Sequence, residues 1–205
     1  MHLEALNSEA RKIFYELKNF PDFYLVGGTA LALQIGHRVS LDFDLFSDKK
    51  IPKNLIAKIK NAIPKSKIEI LVNRSDDLTL LLNQVKITFF TYPFPVILKF
   101  VNFKGVRILS IKEIAAAKAY ALGQRATYKD YIDLYFILRE RHCSLEQVIK
   151  LAQKKYEEIF DTRLFLEQLI YMKDIEDVDI QFLKKPVDKK QLQIFFEQEI
   201  KKLKL

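Results

Sequence analysis

From Ser110 onward every apolar repeat in this chain has helical spacing, whereas the residues before it mix helical repeats with strand-like alternation. A chain that switches in this way must build a sheet-containing layer first and a helical part after it. In the first part, positions 3–17 place Leu6, Ala10, Ile13, Phe14 and Leu17 on one side of a helix that Pro21 stops. "FYLV" reads as a short buried strand, Gly27-Gly28 as a turn, and 29–35 as a helix. "VSLDFDLF" alternates as a strand, Pro52 opens a helix running to about residue 63, and "KIEILV" is another strand. "LTLLL" and "VKITFFTY" flank Asn83-Gln84 as a hairpin, and "VILKFV" and "VRIL" supply short strands around Lys104-Gly105. Helices are then expected over 111–122, 128–139, 145–156, 162–171 and 189–203, the first opened by a capping box of Ser110 and Glu113. The expected architecture is an α/β domain with a mixed sheet at 1–109 and an all-helical domain at 110–205.

Composition narrows the chemistry. With 205 residues, 49% of them hydrophobic, the chain can bury a core in each part. No apolar run approaches the roughly 18 residues that a membrane span needs, and Met1-His2-Leu3-Glu4 does not open a signal peptide, so a soluble cytoplasmic protein is expected. One cysteine, Cys143, excludes an internal disulfide and a cysteine-based zinc site, and three scattered histidines argue against a histidine-rich one. Any metal would therefore be held by oxygen ligands. The net charge of +8 fits an anionic partner such as a nucleotide or RNA, and equally a lysine-rich solvated surface.

The stretch "YLVGGTALALQIGHRVSLDFDLFSD" makes two choices that work against stable local structure. It spends two of the chain's five glycines side by side after an apolar run, and it sets Asp42 and Asp44 one residue apart within an alternating strand. Residues two apart in a strand point to one face, so the two carboxylates should project together while Leu41, Phe43 and Leu45 face the core. Like charges so placed repel unless a cation sits between them, and magnesium prefers such oxygens, completing its shell with water and phosphates. An edge strand that merely shows two acids to solvent is the bland alternative. Gly27, Gly28 and Thr29 stand between a strand and a helix, where glycine permits close approach and the helix start offers N–H groups to an anion. A tight turn without ligand would look similar. Arg38 and Ser40 fall between the two elements, and a lone arginine is more often a surface charge.

"GGTALALQIGHRVSLDFDLF" resembles the first motif of the nucleotidyltransferase superfamily, a Gly-Ser/Thr pair followed by Asp-x-Asp, and is closer still to the AbiEii/AbiGii/MenT toxin group. "IKEIAAAKAYALGQRATYKDYIDLYFIL" is similar to a second block of that group, and the two blocks span about half the chain. Taken by its own spacing, the second block sets Lys118 and Arg125 two helical turns apart, with Gly123 between them. Lys129 and Asp133 stand at i,i+4, where an exposed ion pair would add about 0.2 to 0.5 kcal/mol. Tyr131, Leu134, Tyr135 and Ile137 already form a packing face, which leaves the charges free to line a cleft. The resemblance implies a nucleotidyltransferase-like α/β domain whose cleft the helical domain completes. It implies a magnesium-dependent enzyme that transfers a nucleotide from a nucleoside triphosphate to an RNA hydroxyl, such as a tRNA end, restrained by an antitoxin. Asp42 and Asp44 would hold Mg²⁺, and Gly27, Gly28, Thr29, Arg38, Ser40, Lys118, Arg125 and Lys129 would bind the nucleotide. Asp130 would serve as a base or a structural acid.

The pattern departs from the superfamily at one point. Many of its members carry a third carboxylate on a neighbouring strand, where this chain has Thr88. Glu69, Asp130 and Asp133 are the candidate substitutes. A nucleotide- or RNA-binding module without turnover is the alternative that this departure favours, and a purely structural interaction protein is a third.

Overall fold

The computed structural model describes residues 1–203. The chain divides into two compact units, one of Met1–Pro95 with Lys99–Leu109 and the other of Val96–Leu98 with Ser110–Leu205.

The first unit carries a seven-stranded sheet. Its strands are β1 (Tyr24–Val26), β2 (Phe43–Ser47), β3 (Ile68–Asn73), β4 (Asp77–Leu82), β5 (Val85–Thr91), β6 (Val101–Phe103) and β7 (Val106–Ile108). They lie in the order β3-β4-β5-β2-β1-β7-β6, with β1–β7 and β2–β5 parallel and the other neighbours antiparallel. Alternation decides the two faces. Phe43, Leu45, Leu78, Leu80, Ile87 and Phe89 are buried, and the rings of Phe20 and Phe23 stand edge-on to Phe89 at 5.5 and 5.0 Å. Asp44, Phe46, Thr88 and Phe90 alternate with them and remain half-exposed. The β4–β5 hairpin closes through Asn83 and Gln84 with φ of 49° and 70°, the left-handed pair that a two-residue turn matched to strand twist requires.

Three helices belong to this unit, α1 (Ser8–Glu16), α2 (Gly27–Ile35) and α3 (Leu55–Ala62). The single helix expected over 3–17 is broken, because Leu6 is extended and the Asn7 side chain accepts from Ala10 N, starting α1 afresh after a short 3₁₀ turn. The helix expected from residue 29 begins two residues earlier, because Gly27, where the chain turns with φ of +72°, is itself the first residue of α2. The strand expected over "VSLDFDLF" begins only at Phe43, and Leu41, expected in the core, is 36% exposed. Most of "VILKFV" is likewise outside β6.

The second unit is helical, with α4 (Ile111–Gln124), α5 (Tyr128–Arg139), α6 (Leu145–Tyr156), α7 (Thr162–Ile170) and α8 (Lys189–Lys201). α4 packs against α5, α6 and α7, and α8 packs against α5 and α7. Capping boxes start α5, α6 and α8, through Thr127 with Asp130, Ser144 with Gln147 and Asp188 with Gln191. The box expected at Ser110 does not form. Glu113 is instead fully buried, and its carboxylate accepts Ile97 N at 2.5 Å, Leu98 N at 2.8 Å and Lys155 Nζ at 2.7 Å. Three donors on one carboxylate outcompete a local cap, and they fasten the short segment Val96–Leu98 into the helical unit.

Candidate active site

Register sets the first part of the site. β1 and β2 pair so that Val26 lies opposite Asp44, and Val26 is the residue from which the chain turns into α2. Gly27 makes that turn with φ of +72°, and a Cβ there would lie only 2.7 Å from Asp44 Oδ2. Glycine is needed twice over: for the left-handed backbone and for the space the carboxylate occupies. Asp44 is thereby brought against the start of a nine-residue helix, the end whose N–H groups favour anions.

Asp42 sits just before β2 and is exposed. Its backbone carbonyl accepts a hydrogen bond from the Thr29 hydroxyl, which also stands 2.8 Å from Ser40 Oγ. Thr29 is 1% exposed, so its hydroxyl acts as a clamp from α2 to the segment that carries Asp42. The Ser40 backbone N–H donates to Ala5 O at 3.0 Å and ties the same segment to the N-terminal 3₁₀ turn. Arg38 is 3% exposed, and its Nη1 donates to the Val39 carbonyl at 3.1 Å, so it is an interior residue rather than the surface charge a lone arginine suggests. Gly28 is half-buried.

Beside Asp44, on the parallel strand β5, the partner residue is Thr88, and beyond it on β4 is Thr79. The two hydroxyls are 3.3 Å apart, and Thr79 Oγ1 donates to Asp77 Oδ1 at 2.8 Å. Sequence reading missed this polar row, because only the β2–β5 and β4–β5 registers align it. Glu69 lies on the sheet edge β3, three strand spacings or about 14 Å from β2, too far to share a metal with Asp44. Among the described residues no group of three or more His, Cys, Asp or Glu side chains is gathered to hold a metal. Asp44 Oδ2 against the glycine-opened helix start fits, by its chemistry, an ion that takes its other ligands from water and phosphate.

In the second unit, Lys118 on α4 is gripped by α5, with Nζ 2.6 Å from Asp130 Oδ1 and 2.7 Å from Asp133 Oδ2. Lys129 does not pair with Asp133 as its spacing suggested; it is exposed, while Asp133 is fully buried. The reason is that α5 buries every residue from Tyr131 to Leu138 and turns Asp133 inward with them. Asp130 also accepts from Thr127 N and Oγ1, at 3.2 and 2.7 Å, so it caps α5 while it holds the lysine. Burial opposes the Lys118 charge, but Asp133 and Asp130 outweigh it and hold its pKa above the ordinary lysine value. Gly123 does not interrupt α4, whereas Arg125 leaves it as an extended, exposed C-cap and so shares no helical face with Lys118.

The chain is also similar to known proteins, by sequence and by fold. An uncharacterised protein of Aquifex aeolicus is 36% identical over 158 residues, 76% of each chain. Among solved structures, a Helicobacter pylori protein proposed to be a nucleotidyltransferase superposes with a TM-score of 0.59 at 23% identity, over 96% of both chains. MenT4, a nucleotidyltransferase toxin of Mycobacterium tuberculosis, superposes with a TM-score of 0.58 at 16% identity, over 94% of this chain and 84% of its own. These two share the fold. The family model of the nucleotidyl transferase AbiEii toxin of type IV toxin–antitoxin systems matches residues 12–204, and the chain accordingly belongs to that family of nucleotidyltransferases.

Proposed function

We propose that the protein is a magnesium-dependent nucleotidyltransferase toxin that moves a nucleoside monophosphate from a nucleoside triphosphate to an RNA hydroxyl, tRNA included. The observation that carries this reading is the contact between Gly27 and Asp44, which joins an acidic oxygen to an anion-favouring helix start in one place. The triphosphate rests against Gly27 and Gly28, while Thr29, Ser40 and Arg38 fix the segment that presents Asp42. Asp42 and Asp44 hold the magnesium ion, which when bound supplies positive charge to the phosphates and to the departing pyrophosphate. The acceptor oxygen forms a bond to the α-phosphorus as the bond from that phosphorus to the β-phosphate oxygen breaks. The acceptor's proton goes to a base, and Asp130 is the candidate that family resemblance provides. Resemblance also carries Lys118, Arg125 and Lys129 as nucleotide contacts, a cytoplasmic location and an antitoxin that restrains the activity. No helix among the described residues is long and apolar enough to cross a membrane.

Incubating the protein with labelled nucleoside triphosphates, Mg²⁺ and total tRNA tests the reading. Label transfer that Asp42→Ala or Asp44→Ala abolishes supports it. Tight nucleotide binding without transfer supports a second reading, a binding module without turnover, which Thr88 in place of an acid opposite Asp44 favours.

A further inference from the structure

The helical unit contains a cavity of about 440 Å³ between α5, α8 and the segment that leads into α8. Its size falls in the roughly 300–1,000 Å³ range of small-molecule sites. One wall is aromatic: Tyr135 meets Phe195 edge-on, with ring centroids 4.8 Å apart, and Ile194 beside them is 46% exposed. The rim is cationic. Lys184 and Glu140 neutralise one another at 2.6 Å, and Glu140 is held as a carboxylate, since the hydrogen bonds from Lys184 and His142 outweigh its burial. The Arg139 guanidinium lies over the Tyr135 ring, 5.5 Å from its centroid, and uses one nitrogen on the Tyr135 hydroxyl. Its other N–H groups and the ammonium of exposed Lys185 make no hydrogen bond among the described residues. The balance is exposed Lys185 and the remaining N–H groups of Arg139 beside a π-surface.

From this geometry we infer that the cavity takes one nucleoside phosphate unit of a single-stranded RNA, base against Phe195 and Ile194, phosphate on Arg139 and Lys185. A planar anion matches this lining on both counts, since bases stack on aromatic rings and phosphates pair with guanidinium and ammonium groups. An acidic peptide would leave the ring wall unused, and an apolar ligand would leave the cations uncompensated. The inference rests on the reading that RNA is the acceptor, and it makes the helical unit an RNA-holding part of the enzyme.

Fluorescence anisotropy of the full chain with a labelled short single-stranded RNA tests it, with 5′-AMP as competitor to separate a strand from a free nucleotide. The double variant Arg139→Gln/Lys185→Gln is expected to weaken RNA binding about tenfold or more and to lower the salt slope by about 0.7 per lost phosphate contact. Lys154→Gln, at an exposed lysine on α6 away from the cavity, should change binding less than about twofold. Thiouridine-containing RNA should crosslink to the peptides that carry Tyr135 and Phe195. If the double variant binds like the parent, or if Lys154→Gln loses as much, the site is refuted; displacement of RNA by AMP supports the site and extends it to free nucleotides. The thermal shift expected from nucleoside triphosphate with Mg²⁺, which in the proposed function uses neither Arg139 nor Lys185, separates the two ideas. A retained shift with RNA binding unaltered by the double variant overturns the cavity alone, whereas absence of any RNA binding by the parent overturns both the cavity and the RNA acceptor.

Discussion

Gly27 is where backbone and chemistry meet. A Gly27→Ala chain must hold a side chain at φ of +72° and push its Cβ into Asp44 Oδ2, at a cost of about 1–3 kcal/mol. The expected outcome is a lower unfolding midpoint together with a loss of the triphosphate-dependent thermal shift; an unchanged midpoint and shift would show that the cradle tolerates a methyl group. Thr29→Val keeps the shape but removes the clamp on Asp42, so nucleotide affinity should fall while Asp44 stays in place. Titration of the nucleotide against both variants separates the two roles. The glycine and the two aspartates could be singled out from sequence because each is unusual for its element. The interior position of Arg38 and the clamp role of Thr29 could not, since both depend on what folds over the segment after α2.

Helix ends and helix interiors give the next level of test. Gly123 lies inside α4, and a methyl group added there would meet nothing within 4 Å, so Gly123→Ala should raise stability by about 0.5–1 kcal/mol, read from urea unfolding. Glu113→Gln has the opposite expectation. It leaves the 1%-exposed Lys155 side chain without its carboxylate and weakens the hold on Val96–Leu98, at a cost of about 3–5 kcal/mol. Glu113→Gln/Lys155→Met should recover part of that loss, and an equal loss in the double variant would mean that the fastening of Val96–Leu98, not the ion pair, dominates. Helices of the second part were legible because their apolar repeats persist for whole turns, and α5 and α6 occupy 128–139 and 145–156 as their spacing predicts. The box at Ser110 was not, because Glu113 bonds to a segment fifteen or more positions away in sequence, beyond any local pattern.

Across the molecule, pH separates the behaviour of the interior from that of the site. Burial, with the Asp130 charge in support, pushes the Tyr131 hydroxyl up to about 12, and its proton is used on the Gln168 carbonyl at 2.8 Å. A pKa raised on folding contributes stability that is complete below the unfolded value near pH 10 and is lost as pH rises through the folded value. Lys118 is raised as well, so its contribution disappears on the same alkaline side. Unfolding free energy should therefore show no loss from these two groups through the neutral range and decline from about pH 10 towards 12. Tyr131→Phe should remove part of that decline, followed by urea unfolding alongside tyrosinate absorbance. A decline of equal size in the variant would place its origin elsewhere.

The sequence by itself determined where most of the strands and helices run and that the order changes from mixed sheet to helix at Ser110, since these follow from periodicity and local backbone preference, while the grouping of two acids and two glycines into one motif came from resemblance to a family. Only the tertiary structure decided that Gly27 abuts Asp44, that Thr88 faces Asp44 and that Lys118 belongs to Asp130 and Asp133 rather than leaving Asp133 to Lys129. Pairings of that kind are set by strand register and by which helices bury which faces, and a charge chooses its partner by distance in space after burial has fixed its direction.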